Sequence, residues 1–223
     1  MTTTKQDEMP QVKQFWNDVA PKFDAIYTGK KGLVARSLDR WLRRDIYQRF
    51  DWVMQEAGDV RGQRICDVGC GSGRFVTALA KRGAAHVTGV DIAPAMLKLA
   101  GDLAVSDGVA DKCSFINADV NDWSTNEKFD LTIAIGFWDY IANPESRLKV
   151  IRRVTKTGGH LLSAWPRSGT IRAPIRKVRL TALGCPVYFF SRDDVYRYLQ
   201  NAGFRVDSCE VIGQLYCAAA TAV

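Results

Sequence analysis

The stretch Asp67-Val68-Gly69-Cys70-Gly71-Ser72-Gly73 restricts what this chain can fold into more than any other feature. It follows an apolar run at 64–68 and precedes an amphipathic one at 74–82, so three glycines fall where a strand hands over to a helix. Glycine turns the backbone through conformations other residues avoid and lets a ligand approach the main chain closely. Strand, glycine loop and helix in that order form the context of a nucleotide-binding loop. A second strand pattern at 85–90 leads into Gly89-Val90-Asp91-Ile92. Its carboxylate, roughly 20 residues past the loop, can accept hydrogen bonds from ribose hydroxyls.

The alternation continues. Helical spacing at 95–104 is followed by strand patterns at 113–117 and 129–135, a helix at 145–154, and a strand at 160–164 after Gly158-Gly159. Strands alternating with helices predict an α/β fold, a mostly parallel sheet with helices on both faces. Two last strand-like runs, 205–212 and 214–220, are separated only by Gly213, too little for a crossover. They predict a hairpin and an antiparallel last strand, making seven strands in all.

Ahead of this core, residues 1–13 are polar and predict a mobile start, and the aromatic run at 15–27 predicts two short helical turns on either side of Pro21. An amphipathic helix is expected over 33–57, ended by Gly58, with arginines on its outer face. The predicted organisation is an N-terminal lid and helix over 1–57, then a core over 58–223 that carries an insertion at about 165–190.

Composition narrows the function classes. No apolar run reaches the ~20 residues of a membrane-spanning helix, and the polar start lacks the apolar centre of a signal peptide, so a cytoplasmic protein is expected. The cysteines are scattered and sit mostly in apolar runs; neither a metal site nor disulfides are expected. A net charge of +7 would draw an anionic partner. Peripheral contact with a lipid surface stays open.

The loop discriminates between nucleotides. Dinucleotide loops place a small residue where Arg74 stands, and Asp67 just ahead of the glycines would repel a pyrophosphate but suit an ammonium group. The methionine part of S-adenosylmethionine (SAM) carries one. At these two motifs the chain resembles the class I SAM-dependent methyltransferases, and over about 15–220 it is similar to them in its pattern of elements. The resemblance implies a Rossmann-like sheet and SAM as methyl donor. It implies further that Gly69, Gly71 and Gly73 lie along the homocysteine part, Asp67 holds its amino group, Asp91 the ribose, Ile92 an adenine face and Asp119, with Val120 beside it, the adenine amino group. Phe137 would contact SAM, and the segment containing Phe23 and Tyr27 resembles a lid that closes over it.

The fourth strand runs out into Gly136-Phe137-Trp138-Asp139-Tyr140, at the sheet edge where such folds place their ligands. Asp139 and Tyr140 are the candidate catalytic residues, Asp139 as a proton acceptor within ~3 Å of the acceptor atom. Trp16, Trp138, Trp165 and Arg167 are the candidate substrate contacts, the last two able to stack on and pair with a planar or acidic acceptor. This layout resembles the magnesium-protoporphyrin O-methyltransferases. The expected function is methyl transfer to a small molecule. Two alternatives stay open, an RNA or other nucleic-acid methyltransferase and a SAM-binding protein without catalysis. The fourth strand lacks both the Asn/Asp-Pro-Pro-Tyr motif and a Pro-Cys nucleophile, so a nucleic-acid partner is not expected.

Overall fold

The computed structural model describes residues 9–28, 44–170 and 172–223, with side chains at 9–21, 46–170 and 173–223. Strands β1 (Arg64–Val68), β2 (His86–Asp91), β3 (Cys113–Asn117), β4 (Phe129–Ile135), β5 (Thr155–Pro166), β6 (Phe204–Ile212) and β7 (Leu215–Ala222) form one sheet in the order β3-β2-β1-β4-β5-β7-β6. The pairings from β3 across to β5 are parallel. Only β7 is reversed, antiparallel to both β5 and β6, because Gly213 and Gln214 alone connect it to β6 and Gly213 takes φ +56° to make the turn.

The described α-helices are α1 (Met9–Thr28), α2 (Arg44–Glu56), α3 (Arg74–Lys81), α4 (Pro94–Ser106), α5 (Glu145–Val154), α6 (Arg172–Ala182) and α7 (Arg192–Asn201). The strands divide their side chains between two layers, as the period of two requires. Cys66, Val68, Leu161, Trp165, Ala218 and Ala220 face a core completed by Leu148 and Ile151 of α5 and Leu199 of α7. Ile65, Leu131, Ile133, Leu162 and Cys217 face the opposite core, with Val53 of α2 and Val76 and Leu79 of α3. Burial on both faces is why these strands read as nearly continuous apolar runs. The buried cysteines act as small hydrophobes: burial, then the charge of Asp67, pushes the Cys70 thiol well above its usual range.

Three expectations are corrected. The N-terminal segment is a single helix running through Pro21, where two turns were expected. It begins at Met9 rather than after residue 13, because Val12 is 3% and Ala20 2% exposed, and Asn17 Oδ1 accepts a hydrogen bond from Ala95 N at the start of α4 (3.1 Å). Docking on α4 compensates for the hydrogen bond that a mid-helix proline removes. Strand β5 starts at Thr155, earlier than the expected 160, pairing Thr155 with Phe129 before a register shift at Leu131. The helix expected over 33–57 is described from Arg44 to Glu56 and stops before Gly58 at φ +58°; its expected first part lies outside the described residues. Among the described residues no helix is long and apolar enough to cross a membrane.

The insertion is closed at its base. Ser168 N donates to Phe190 O and Phe190 N to Pro166 O, both at 2.8 Å, so the segment leaves the end of β5 and returns to the same place, carrying α6 over the carboxyl edge of the sheet.

Candidate active site

A cavity of about 350 Å³ opens at the carboxyl ends of β1, β2 and β4. Its floor is the glycine loop. Gly69 N and Cys70 N both donate to Val90 O (2.8 and 3.1 Å), which fastens the turn to β2. Gly69, Gly71 and Gly73 adopt φ +72°, +52° and +75°, the left-handed region that glycine enters without strain. Their surroundings differ. A Cβ on Gly69 would stand 2.8 Å from Phe137 and one on Gly73 2.7 Å from Ala100, whereas one on Gly71 would meet nothing within 4 Å. Gly71 faces open space and Gly69 lines the cavity, but Gly73 does not: it lets α4 pack against the start of α3, which corrects its expected place beside a ligand.

Three acids surround this loop. Asp91 Oδ2 accepts from Gly71 N (2.9 Å) and Oδ1 from Ala93 N (2.8 Å), so the carboxylate at the end of β2 holds the loop and keeps a lone pair on each oxygen for a ligand. Burial raises the pKa of Asp91 against these hydrogen bonds. Asp67 at the end of β1 is 1% exposed, and its Oδ2 has no hydrogen-bond partner. Burial, then the charge of Asp91, raises its carboxyl well above the usual range. A buried acceptor with nothing to bind is costly and marks a place where a donor belongs. Asp119, after β3, accepts from Asn121 N at 2.9 Å and lies 3.5 Å from the Arg147 guanidinium. Asp91, Ile92, Asp119 and Val120 all line the cavity; Asp67, buried in β1, is not among its lining residues.

At the opposite end a short 3-10 turn, Trp138–Tyr140, follows β4. Phe137, Asp139 and Tyr140 line the cavity there, and Trp16 of α1 closes over it, its ring edge-on to Tyr140 at 5.7 Å. Met9 and Val12 of α1 line the same side. Asp139 is buried and ion-paired to Arg176 of α6, whose positive charge also acts on the Tyr140 phenol. Burial, then the Asp139 charge, raises the Tyr140 pKa, so the phenol stays protonated at neutral pH. Burial lowers the pKa of Arg176, but Asp139 and Tyr140 outweigh it and the guanidinium stays charged. Arg176, Arg49 and Met96, all cavity-lining, were not singled out in the sequence. They come from three helices, and only the fold brings them to β4.

The expected substrate contacts fare unevenly. Trp138 and Trp165 are both 0% exposed and stack on one another with ring centroids 4.2 Å apart and planes 3° from parallel. Trp165 Nε1 donates to Ser163 Oγ (2.9 Å), and Phe190 abuts it edge-on. Both tryptophans therefore belong to the core, because side chains leaving the ends of neighbouring strands β4 and β5 meet across the sheet face. Arg167 points away from the cavity, toward Gly213 O (3.3 Å) and over the Tyr216 ring. Of the four, Trp16 alone reaches the cavity. Tyr27 falls within α1, but its side chain lies outside the described residues.

The residues present fit the expected donor. The orphaned oxygen of Asp67 suits an ammonium group, the bare main chain at Gly71 leaves room for an aminoacyl chain, and Asp91 has acceptor capacity for a sugar diol. This strand order, with a glycine loop after β1 and an acid ending β2, defines the class I SAM-dependent methyltransferase fold. The chain belongs to the methyltransferase-domain family, whose model matches residues 59–203. It is 31% identical over 113 residues to the ubiquinone biosynthesis O-methyltransferase of Aeromonas salmonicida (strain A449), covering 51% of this chain and 47% of that one. The chain thus spans about half the length of the curated relatives it matches. Among solved structures it is similar to the magnesium protoporphyrin IX methyltransferase of Synechocystis PCC 6803 with bound S-adenosylhomocysteine (SAH). The TM-score is 0.76 at 17% identity, over 97% of this chain and 100% of that one. It is also similar to the cyclase SpnF (TM-score 0.72, 18% identity, 99% and 97% covered). A likeness at these identities establishes the fold, and a cyclase among the neighbours shows why the reaction has to be argued from the site.

Proposed function

We propose that the chain transfers a methyl group from SAM to a small-molecule acceptor. The observation that carries this reading is the Asp91 carboxylate, which lines the cavity, holds the Gly71 turn and keeps acceptor capacity, with the buried, partnerless Oδ2 of Asp67 on the strand that leads into the glycine loop. Bound there, SAM supplies an electrophilic methyl carbon on a sulfonium. The Gly69 and Gly71 backbone would flank the donor's aminoacyl chain, Asp67 would accept from its amino group, and Asp91 would hold the ribose. Ile92 and Met96 cover an adenine face, and Asp119, beside Val120, takes its amino group. Phe137 packs on Gly69 and shields the methyl-bearing region from water.

Among the described residues every carboxylate lining the cavity is engaged: Asp91 by Gly71 and Ala93, Asp119 by Asn121 and Arg147, Asp139 by Arg176. A carboxylate held by a guanidinium directs its lone pairs at that partner rather than at an incoming acceptor. Asp139 is therefore better suited to positioning Arg176 and Tyr140 than to the proton removal its place in the sequence suggested. Tyr140, kept neutral, has an O–H to donate to the acceptor. Methyl transfer by in-line displacement asks mainly for alignment and exclusion of water, which α1 with Trp16 provides as a lid. The O-methyltransferase relatives favour a small molecule over the nucleic-acid alternative. The test is conversion of SAM to SAH in the presence of a metabolite fraction, before and after nuclease treatment. Turnover that survives nuclease is expected; turnover lost with the nucleic acid, or none with any fraction, contradicts the reading.

A further inference from the structure

Arg49 of α2 brings a positive charge to the acceptor end of the cavity without an anion to meet it. Its Nε is buried and has no partner, and the side chain makes no hydrogen bond or ion pair among the described residues. One terminal nitrogen, Nη1, lies 3.5 Å from where a Cβ of Gly136 would stand, which sets the guanidinium against the end of β4. The neighbouring cation is different: Arg176 is neutralised by Asp139. Among the described residues no carboxylate lining the cavity is left to compensate Arg49, since Asp91, Asp119 and Asp139 are each occupied.

We propose that Arg49 anchors an anionic group of the methyl acceptor, a carboxylate on a planar molecule, between Gly136 and the rings of Trp16, Phe137 and Tyr140. The assignment rests on the methyl-transfer reading above and deepens it. A half-buried, uncompensated guanidinium is unfavourable in the empty site, and a carboxylate arriving there gains charge-assisted and bidentate hydrogen bonds. The aromatic rings exclude water from that contact and offer faces for a planar ligand. The overall charge of +7 works in the same direction by raising the local concentration of anions. Arg167, the arginine the sequence suggested for this role, is turned to Gly213 and Tyr216.

Calorimetry with benzoate and its uncharged counterpart benzamide, on the full chain saturated with SAH, tests the assignment. Benzoate is expected to bind about tenfold more tightly than benzamide, and Arg49→Gln to abolish the difference while Arg49→Lys retains part of it. SAH affinity, measured on the same preparations, should be the same in all three proteins, which also shows that the variants are folded. Equal binding of the two probes, an undiminished preference in Arg49→Gln, or no benzoate binding up to its solubility limit would overturn the assignment. The two titrations separate the two readings: no SAH binding to the intact protein removes the methyl-transfer reading, and SAH binding without an Arg49-dependent preference for benzoate removes the anchor alone.

Discussion

Asp67 shows how much a single residue can say and where its message stops. Its place two residues before Gly69 was enough to argue for an ammonium-bearing ligand, but its isolation, 1% exposed with one oxygen unpartnered, follows only from the packing of β1 between β2 and β4. Two consequences follow. Asp67→Asn should stabilise the ligand-free protein at neutral pH by about 1–2 kcal/mol, read as a higher Tm, while weakening SAH binding, because a buried charge without a partner opposes folding. The second concerns protons. In the ligand-free protein the Asp67 pKa is raised, so the carboxyl holds its proton to higher pH than an ordinary carboxylate, and an arriving ammonium lowers that pKa. SAH binding should then release a proton and tighten as pH rises from the ordinary carboxylate range through the raised value. Calorimetry in two buffers of different ionisation enthalpy measures that release, which Asp67→Asn should abolish. Asp139 is the opposite case. Its position after β4 suggested a proton acceptor, and the Arg176 that pairs with it stands 37 residues on, on a helix whose placement no local pattern reveals.

At the level of elements, the local patterns were legible where period and punctuation agree. The bounds of β3, β4 and α5 coincide with those expected, and the hairpin of β6 and β7 follows from a connection too short to cross the sheet. What stayed hidden depends on tertiary contact. Pro21 reads as a break, yet α1 runs through it because Trp16, Asn17 and Ala20 dock on α4 and its approach. Trp165 reads as a binding residue from its place after a strand, yet it is buried on Trp138. Trp165→Ala should therefore destabilise the fold by about 3–5 kcal/mol in urea denaturation, with SAH affinity of the folded fraction unchanged; loss of SAH affinity at unchanged stability would return the residue to the site. Trp16→Ala should do the reverse. Removing its edge contact with Tyr140 loosens the lid, and SAH dissociation followed by stopped flow should accelerate by up to about tenfold with little change in Tm.

On the scale of the whole molecule, one sheet collects at its carboxyl edge residues that lie far apart in sequence: Trp16 and Arg49 from the N-terminal helices, Asp67, Gly71 and Asp91 from the first βαβ unit, Asp119 after β3, Tyr140 after β4 and Arg176 from the insertion. The donor end was readable because its residues sit within or beside short motifs tied to particular strand ends. The acceptor end was not, since it is assembled from helices that meet only after the sheet has formed, and this is also where relatives of one fold diverge in chemistry. The account stands on the cradle between β1 and β2. Its most direct measurement is the calorimetric titration of SAH into the intact protein and into Asp91→Ala. Saturable one-to-one binding that weakens by about 1–3 kcal/mol in the variant is the predicted result, with a lower Tm of the ligand-free protein as Gly71 N and Ala93 N lose their acceptor. No heat of binding to the intact protein, or equal affinity in both proteins, would contradict it.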